Sequence, residues 1–170
     1  SNEYFNFERD NILSKTWVCV GFASDLPKKS YVKPVNFMGM PLVMMRNKEG
    51  ELHVFHNVCS HRGMILVQQE GTIEGVIRCQ YHSWSYDLNG NLKGTPHVGG
   101  INQHKDERIK CEKHGLKALR SAVWMDMVFV NISGDAPTFE EHIAPLVERW
   151  KPFLGENGLE LIRSSKVGST

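Results

Sequence analysis

The chain has 170 residues, of which 41% are hydrophobic and 23% charged, enough for one compact core and ordinary for a globular domain. A formal charge of +1 provides no polycationic surface for nucleic acid, and the longest apolar runs, 41–45 and 127–130, are strand-sized, so no membrane partner is expected. The first residues lack the basic and apolar blocks of a signal peptide, and the expected location is cytoplasmic.

In chain order, residues 5–15 set Phe5, Ile12 and Leu13 among charges and predict a short amphipathic helix, after which Trp17–Phe22 turns β-like. Strands are predicted at 31–38, 42–46, 52–58, 76–79, 83–88, 118–124 and 128–132. Turns fall at 47–50 and at Asn89-Gly90, where both residues tolerate positive φ. The centre is therefore antiparallel β. Residues 138–150, following Pro137, predict a closing helix with Thr138 as N-cap and Glu141 three residues on, as in a capping box.

Two short loops carry the chemistry. Cys59-Ser60-His61-Arg62-Gly63 and Cys79-Gln80-Tyr81-His82-Ser83-Trp84 each offer one thiolate and one imidazole. Two ferric ions bridged by two sulfides need four terminal ligands, and two thiolates on one iron with two neutral imidazoles on the other complete such a centre. That centre is formally neutral when oxidised, so adding an electron costs less than in a four-thiolate cluster that is already doubly negative. The electron is expected on the imidazole-bound iron, with His61 and His82 as the exit route. Structural zinc is the competing reading, since Cys2His2 also suits a tetrahedral ion. Zinc sites usually take a Cys pair from one segment and a His pair from another, whereas both loops here are mixed and the Cys-x-His spacing is tight.

Cys59-x-His61-Arg62-Gly63 and Cys79-x-Tyr81-His82-x-Trp84 resemble the N-terminal Rieske 2Fe-2S domain of the large, alpha subunit of Rieske non-heme iron oxygenases, the ring-hydroxylating and demethylating enzymes. The likeness extends to the helix and Trp-containing strand at 7–21, to the strand, Lys-Glu-Gly turn, strand and Asn at 40–57, and to Tyr86-Asp87-Leu88-Asn89-Gly90. It implies a mainly β fold, a Rieske-type antiparallel β sandwich with two ligand-loop hairpins and flanking N- and C-terminal helices. The layout it implies is an N-terminal helical segment at 1–16, the Rieske domain at 17–136, a closing helix and linker at 137–158, and the start of a catalytic domain at 159–170.

The same resemblance makes Cys59, His61, Cys79 and His82 the ligands of a 2Fe-2S cluster, surrounded by Arg62, Gly63, Tyr81, Ser83 and Trp84. Arg62 either pairs with a carboxylate or partner subunit, or is simply solvated. Tyr81 and Trp84 shield the cluster or anchor their loop, and Gly63 allows a positive φ or a close backbone approach. The family usually has Pro and Gly where this chain has Gln80 and Ser83, and the serine is expected to add a hydroxyl near the sulfurs. Rieske proteins of cytochrome bc complexes carry an extra cysteine in each loop, at the places held here by Met64 and Tyr81. Of the remaining cysteines, Cys19 reads as core and Cys111 as a loop thiol, and a disulfide between them is disfavoured in a reducing compartment.

The implied function is a one-electron relay. A ferredoxin or flavin reductase supplies electrons from NAD(P)H, and a mononuclear non-heme Fe(II) in the catalytic domain of the same or a neighbouring subunit of a trimer accepts them. There O2 oxidises an aromatic ring or an N-methyl or O-methyl group. That iron is expected only outside this chain, because His53, His56, His97, His104, His114 and His142 are scattered and lack the family's Asp-x-x-His-x-x-x-x-His pattern. The chain alone is accordingly expected not to turn over. A stand-alone Rieske ferredoxin would use the same ligands, but the closing helix and residues 159–170 weigh against it; a zinc-stabilised interaction module is the non-redox alternative.

Overall fold

A computed structural model describes residues 1–104 and 106–154; the expected start of a catalytic domain at 159–170 lies outside the described residues. Two helices, α1 (Asn2–Asn11) and α2 (Phe139–Leu154), flank a set of antiparallel strands. The strands are β1 (Trp17–Phe22), β2 (Tyr31–Phe37), β3 (Met40–Arg46), β4 (Leu52–His56), β5 (Gly71–Thr72), β6 (Ile77–Arg78), β7 (Ser85–Tyr86), β8 (Leu92–Gly94), β9 (Arg120–Trp124) and β10 (Met127–Asn131). They form three sheets, ordered β1-β10-β9, β4-β3-β2-β5 and β6-β7-β8. The mainly β fold with flanking helices is the one the sequence led us to expect.

The uninterrupted apolar run of β3 explains the layering. A strand buried on one face alternates, whereas one buried on both reads as a continuous run. Leu42 and Met44 pack with Leu26, Val54, Leu119, Val128 and Val130, between the first and second sheets. Val43 and Met45 face the opposite way, into a second core with Val32, Phe55, Cys59, Cys79, Trp84 and Tyr86. Both candidate cysteines thus grow out of the core that joins the second sheet to the small third one. A third cluster of Trp17, Ala136 and Phe139 seats α2 on the outer face of the first sheet, with Trp17 edge-on to Phe139 at 5.2 Å.

The start of α2 is fixed by the predicted capping box: the Glu141 N–H donates to Thr138 Oγ1 at 3.2 Å, and the Thr138 N–H donates back to the Glu141 carboxylate at 2.9 Å. Arg120 donates to the carbonyls of Gly134 and Ala136 while stacking over Trp17, tying the approach to this helix to β9. The helix runs to Leu154, four residues past the predicted end.

Several boundaries differ from expectation for local reasons. Strand β2 stops at Phe37 because Met38 and Gly39 form a two-residue turn with φ of 51° and 85°. In the Asn89-Gly90 turn only Gly90 is left-handed, with φ 82°. Its N–H donates to the Asp87 carbonyl and the Asp87 N–H to the Asn91 carbonyl, a type I turn closed by a glycine bulge. A side chain at Gly90 would also collide with the Phe55 ring. The helix predicted at 5–15 forms instead at Asn2–Asn11, with Ile12 as its C-cap and Leu13–Lys15 a separate 3-10 turn; it buries no residue, and Phe5 and Ile12 are exposed. Cys19, expected in the core, is exposed: it shares the outer face of β1 with Trp17 but falls outside the cluster covered by α2. Both Cys19 and Cys111 are free thiols. Among the described residues no helix is long and apolar enough to cross a membrane.

Candidate metal centre

Two loops with the same hydrogen-bond pattern build the site. In the first, the Cys59 N–H donates to the Met64 carbonyl at 2.8 Å and the Gly63 N–H to the Cys59 carbonyl at 2.9 Å. In the second, the Cys79 N–H donates to the Trp84 carbonyl at 2.8 Å and the Ser83 N–H to the Cys79 carbonyl at 2.9 Å. Each loop closes through a left-handed residue four positions after its cysteine, Gly63 at φ 70° and Ser83 at φ 59°. No protein atom lies within 4 Å of a side chain built on Gly63, so within this chain its need is conformational.

Asn57 latches the first loop to the second sheet. Its side-chain amide donates to the Val67 carbonyl at 2.6 Å and accepts the Val67 N–H at 2.9 Å, while its own N–H donates to the Pro41 carbonyl. Strand β4 ends at His56, short of the predicted 58, because Pro41 opposite Asn57 has no N–H to complete the ladder, and the Asn57 carbonyl accepts the Leu66 N–H at 3.4 Å instead. Strands β6 and β7 are likewise shorter than predicted because Cys79 and the 83–84 segment are consumed in loop closure.

The thiols and imidazoles separate into two pairs. Cys59 and Cys79 are each 2% exposed and belong to the same core cluster. Burial pushes the Cys59 thiol up from its ordinary pKa, opposed by hydrogen bonds from Tyr86 and the His61 backbone and reinforced by Cys79. His61 and His82 meet edge to face at 4.7 Å, on the side open to solvent. Burial, then the neighbouring His82 and Arg62, lower the His61 pKa, which favours the neutral imidazole a metal requires. Trp84, buried, stacks on His61 at 4.8 Å and 9°, while the Tyr81 ring rests against His82 at 3.8 Å and is otherwise exposed.

The donor set fits a two-metal group. His82 Nδ1 is buried and has no hydrogen-bond partner among the described residues, a state that costs free energy unless something absent from the protein chain engages it. Two adjoining buried thiols likewise ionise readily only beside a cation. Two irons would take their terminal ligands in pairs, one of thiolates and one of imidazoles, and the side chains on the two loops are of those types.

The sequence reading singled out the four donors and missed much of their support. The hydroxyl that reaches a thiol is that of Tyr86, 3.2 Å from Cys59 Sγ, and not that of Ser83. Ser60 bridges Tyr86 to the His114 carbonyl, pinning the 95–118 segment to the first loop. The alternation of buried Trp84, Tyr86 and Leu88 was a legible sign that Tyr86 points inward with Trp84. Arg62 and Arg78 line a cleft of about 670 Å³ beside the imidazoles. Of the remaining histidines, His53 approaches Glu51, His97 packs on His104, His114 lies edge-on to Trp84 at 6.3 Å and His142 is exposed on α2, while His56 on β4, like His82, has a buried ring nitrogen, Nε2, with no partner among the described residues.

A family model for the Rieske [2Fe-2S] domain matches residues 16–105, over half of the chain, and the chain belongs to that family. Its cofactor class is therefore the Rieske 2Fe-2S cluster. It is similar to the 2-aminobenzenesulfonate 2,3-dioxygenase subunit alpha of Alcaligenes sp, with 31% identity over 161 residues, covering 94% of this chain and 40% of that protein. The carnitine monooxygenase oxygenase subunit of Escherichia coli K12 is 30% identical over 142 residues, covering 84% of this chain and 37% of that protein. The quaternary ammonium Rieske monooxygenase CntA in complex with L-carnitine matches in structure with a TM-score of 0.76 at 28% identity, covering 89% of this chain and 42% of that one. The chain spans about two fifths of the length of the relatives it matches.

Proposed function

We propose that Cys59 and Cys79 hold one iron and His61 and His82 the other, and that the chain is the one-electron relay of an oxygenase large subunit. When bound, such a cluster takes up and returns single electrons. The observation that carries the reading is the pairing itself: two buried thiols in one core cluster, two imidazoles packed edge to face, and an unsatisfied buried His82 Nδ1. The chain's own residues then divide the work. Trp84 and the surrounding core exclude water from the thiol side, Tyr86 offers a hydrogen bond to Cys59, and the imidazoles face the open cleft through which electrons enter and leave.

In the parent protein we place the cluster domain at 17–136, with a helical segment before it and α2 leading towards a catalytic domain. Electrons come from a ferredoxin or flavin reductase fed by NAD(P)H and pass to a mononuclear iron of the same or a neighbouring subunit, in a trimer. The names of the relatives support an aromatic compound or a quaternary ammonium compound as the substrate class. Oxygen chemistry then depends on residues other than those described, and the chain by itself relays electrons without making product.

Anaerobic reconstitution with iron and sulfide tests the assignment. The expected result is a red-brown chain with two irons and two sulfides, a rhombic EPR signal after dithionite, and loss of that signal in Cys79→Ser and His82→Ala. A colourless chain carrying one zinc, or a signal indifferent to these replacements, would overturn it.

A further inference from the structure

Two histidines outside the ligand set hold the segment 95–104 together by accepting backbone protons. The His97 N–H donates to His104 Nδ1 at 3.2 Å, and the Asn102 N–H donates to His97 Nδ1, also at 3.2 Å. The two rings pack edge to face, 5.0 Å apart at 62°. The tip of the segment is thus tied to its start, and its start to its end, through two imidazole nitrogens. The backbone between them runs against its own preference, since His97 and Asn102 sit at φ of 58° and 60°, the left-handed region that side chains disfavour. The Gly99 N–H also donates to the Gln103 carbonyl and Thr95 Oγ1 to the His104 carbonyl, but neither bond replaces either ring acceptor.

An imidazole nitrogen accepts only while it carries no proton. The neutral ring has one donor nitrogen and one acceptor, whereas the protonated ring donates from both. A proton on either ring therefore turns an acceptor into a donor aimed at a backbone N–H, and one of the two bonds is lost. Protons consequently favour the open segment, whose rings titrate near the ordinary imidazole value of about 6.5. Closure is present in full above that pH and is lost as the pH falls through and below it. Arg62 and Arg78 line the cleft with His97, beside Tyr81 and the rings of His61 and His82, and no carboxylate does, so a protonated His97 meets no counter-charge there. Lys93, Asp106, Glu107 and Cys111 share a hollow of about 360 Å³ with His104, where Asp106 is spent on Arg108. A carboxylate near His104 can draw a proton to that ring but cannot restore the lost acceptor.

The position of the clasp gives it a consequence. Pro96, His97 and Val98 line the cleft of about 670 Å³ into which His61 and His82 open. We propose that His97 and His104 form a proton-operated latch: with both rings neutral the 95–104 segment stays folded as one wall of that cleft, and a proton on either ring releases it and opens the approach to the His61 and His82 rings. No covalent or redox step is involved, and the latch stands whichever side chains hold the cluster.

Hydrogen exchange of backbone amides tests it, followed by mass spectrometry on peptides spanning 95–104 in the full chain loaded with its cluster. Rates are corrected for the intrinsic pH dependence of exchange, and β3 serves as the reference. One pH unit below the imidazole value, each ring that must stay neutral costs about a factor of ten in closure. Protection at 95–104 should therefore be about tenfold lower, or more, at pH 5.5 than at pH 7.5, with β3 unchanged. Asparagine carries an acceptor oxygen at the δ position, takes no proton and tolerates a left-handed backbone, so H97N/H104N should keep its protection at pH 5.5. Alanine offers no acceptor, and His97→Ala or His104→Ala should be as poorly protected at pH 7.5 as the wild type is at pH 5.5. Equal wild-type protection at the two pH values, or alanine variants that keep it at pH 7.5, overturns the latch. So does an asparagine pair that loosens at pH 5.5 or is open throughout.

Discussion

Tyr86 sets its hydroxyl 3.2 Å from Cys59 Sγ from a position with no solvent exposure, and the same oxygen accepts the Ser60 N–H at 3.1 Å. Ser60 has one hydroxyl proton and spends it on the His114 carbonyl at 2.6 Å, so towards Tyr86 its oxygen is an acceptor. The single Tyr86 proton is therefore shared between Ser60 and the sulfur. Burial, first of all, pushes the phenol's pKa well up, so it remains a donor at any working pH. A thiolate, being charged, draws that proton more strongly than a neutral hydroxyl. Hydrogen bonds to sulfur favour the reduced cluster, and Tyr86→Phe removes one without altering the ring. The midpoint potential should fall by about 50 mV, the equivalent of roughly 1 kcal/mol for one electron, with the EPR signal retained. Potentiometry on both proteins measures it, and an unchanged potential would show that the hydroxyl serves Ser60 alone.

The two loops predict opposite outcomes for exchanging their left-handed residues. Ser83 holds φ 59° where its counterpart Gly63 holds 70°. A non-glycine residue there is strained by about 1–2 kcal/mol, while glycine adds about 0.5–1 kcal/mol of unfolded-state entropy. Ser83→Gly should therefore stabilise the chain by about 0.5–1 kcal/mol and Gly63→Ser should destabilise it by a similar amount, since open space around Gly63 leaves no steric term. Urea midpoints compared at constant slope test the pair.

Asn57 is 2% exposed and satisfies both groups of its side chain on Val67. Asn57→Ala strands a buried carbonyl and a buried N–H, and the expected cost is about 2–3 kcal/mol. Because this latch closes the first loop, the variant should also lose iron faster in the presence of a chelator. Asn57→Asp keeps the acceptor but loses the donor and buries a charge, so it should fare no better.

What the sequence disclosed was local. The continuous run of β3 and the Thr138-Glu141 box are each written within a few residues, and each found its counterpart in the structure; the mixed Cys-x-His and Cys-x-x-His motifs are as local and lie inside the segment that the Rieske model matches. What stayed hidden depends on contacts across the chain. Ser60 meets His114 over 54 positions, and Arg62 and Arg78 share one cleft only because their two hairpins converge there. Strands β5 and β8 are two and three residues long, too short to show a period of two, and both contain glycine. The exposure of Phe5, Ile12 and Cys19 was illegible for a related reason: apolar character marks a candidate for burial, but only the neighbouring elements decide whether anything covers it.

The capping box gives a pH dependence whose sign can be worked out. Hydrogen bonds from the Thr138 backbone and hydroxyl hold the Glu141 carboxyl below its ordinary pKa. An unfolded-state glutamate titrates near 4.3, so the ionised cap contributes in full above that pH and is lost as the pH falls through the lower folded value. Below both values the folded and unfolded chains are protonated alike and the contribution is gone. The exposed carboxylate makes the effect modest and sensitive to salt. It is also local, because α2 seats on Trp17 and Phe129 through Phe139, the residue that follows the cap. Trp17 fluorescence followed from pH 6 to pH 3 should therefore report loosening of this helix before the sheets unfold. Glu141→Gln should remove that early phase while lowering stability at neutral pH, and an early phase that survives the substitution would assign it to another carboxylate.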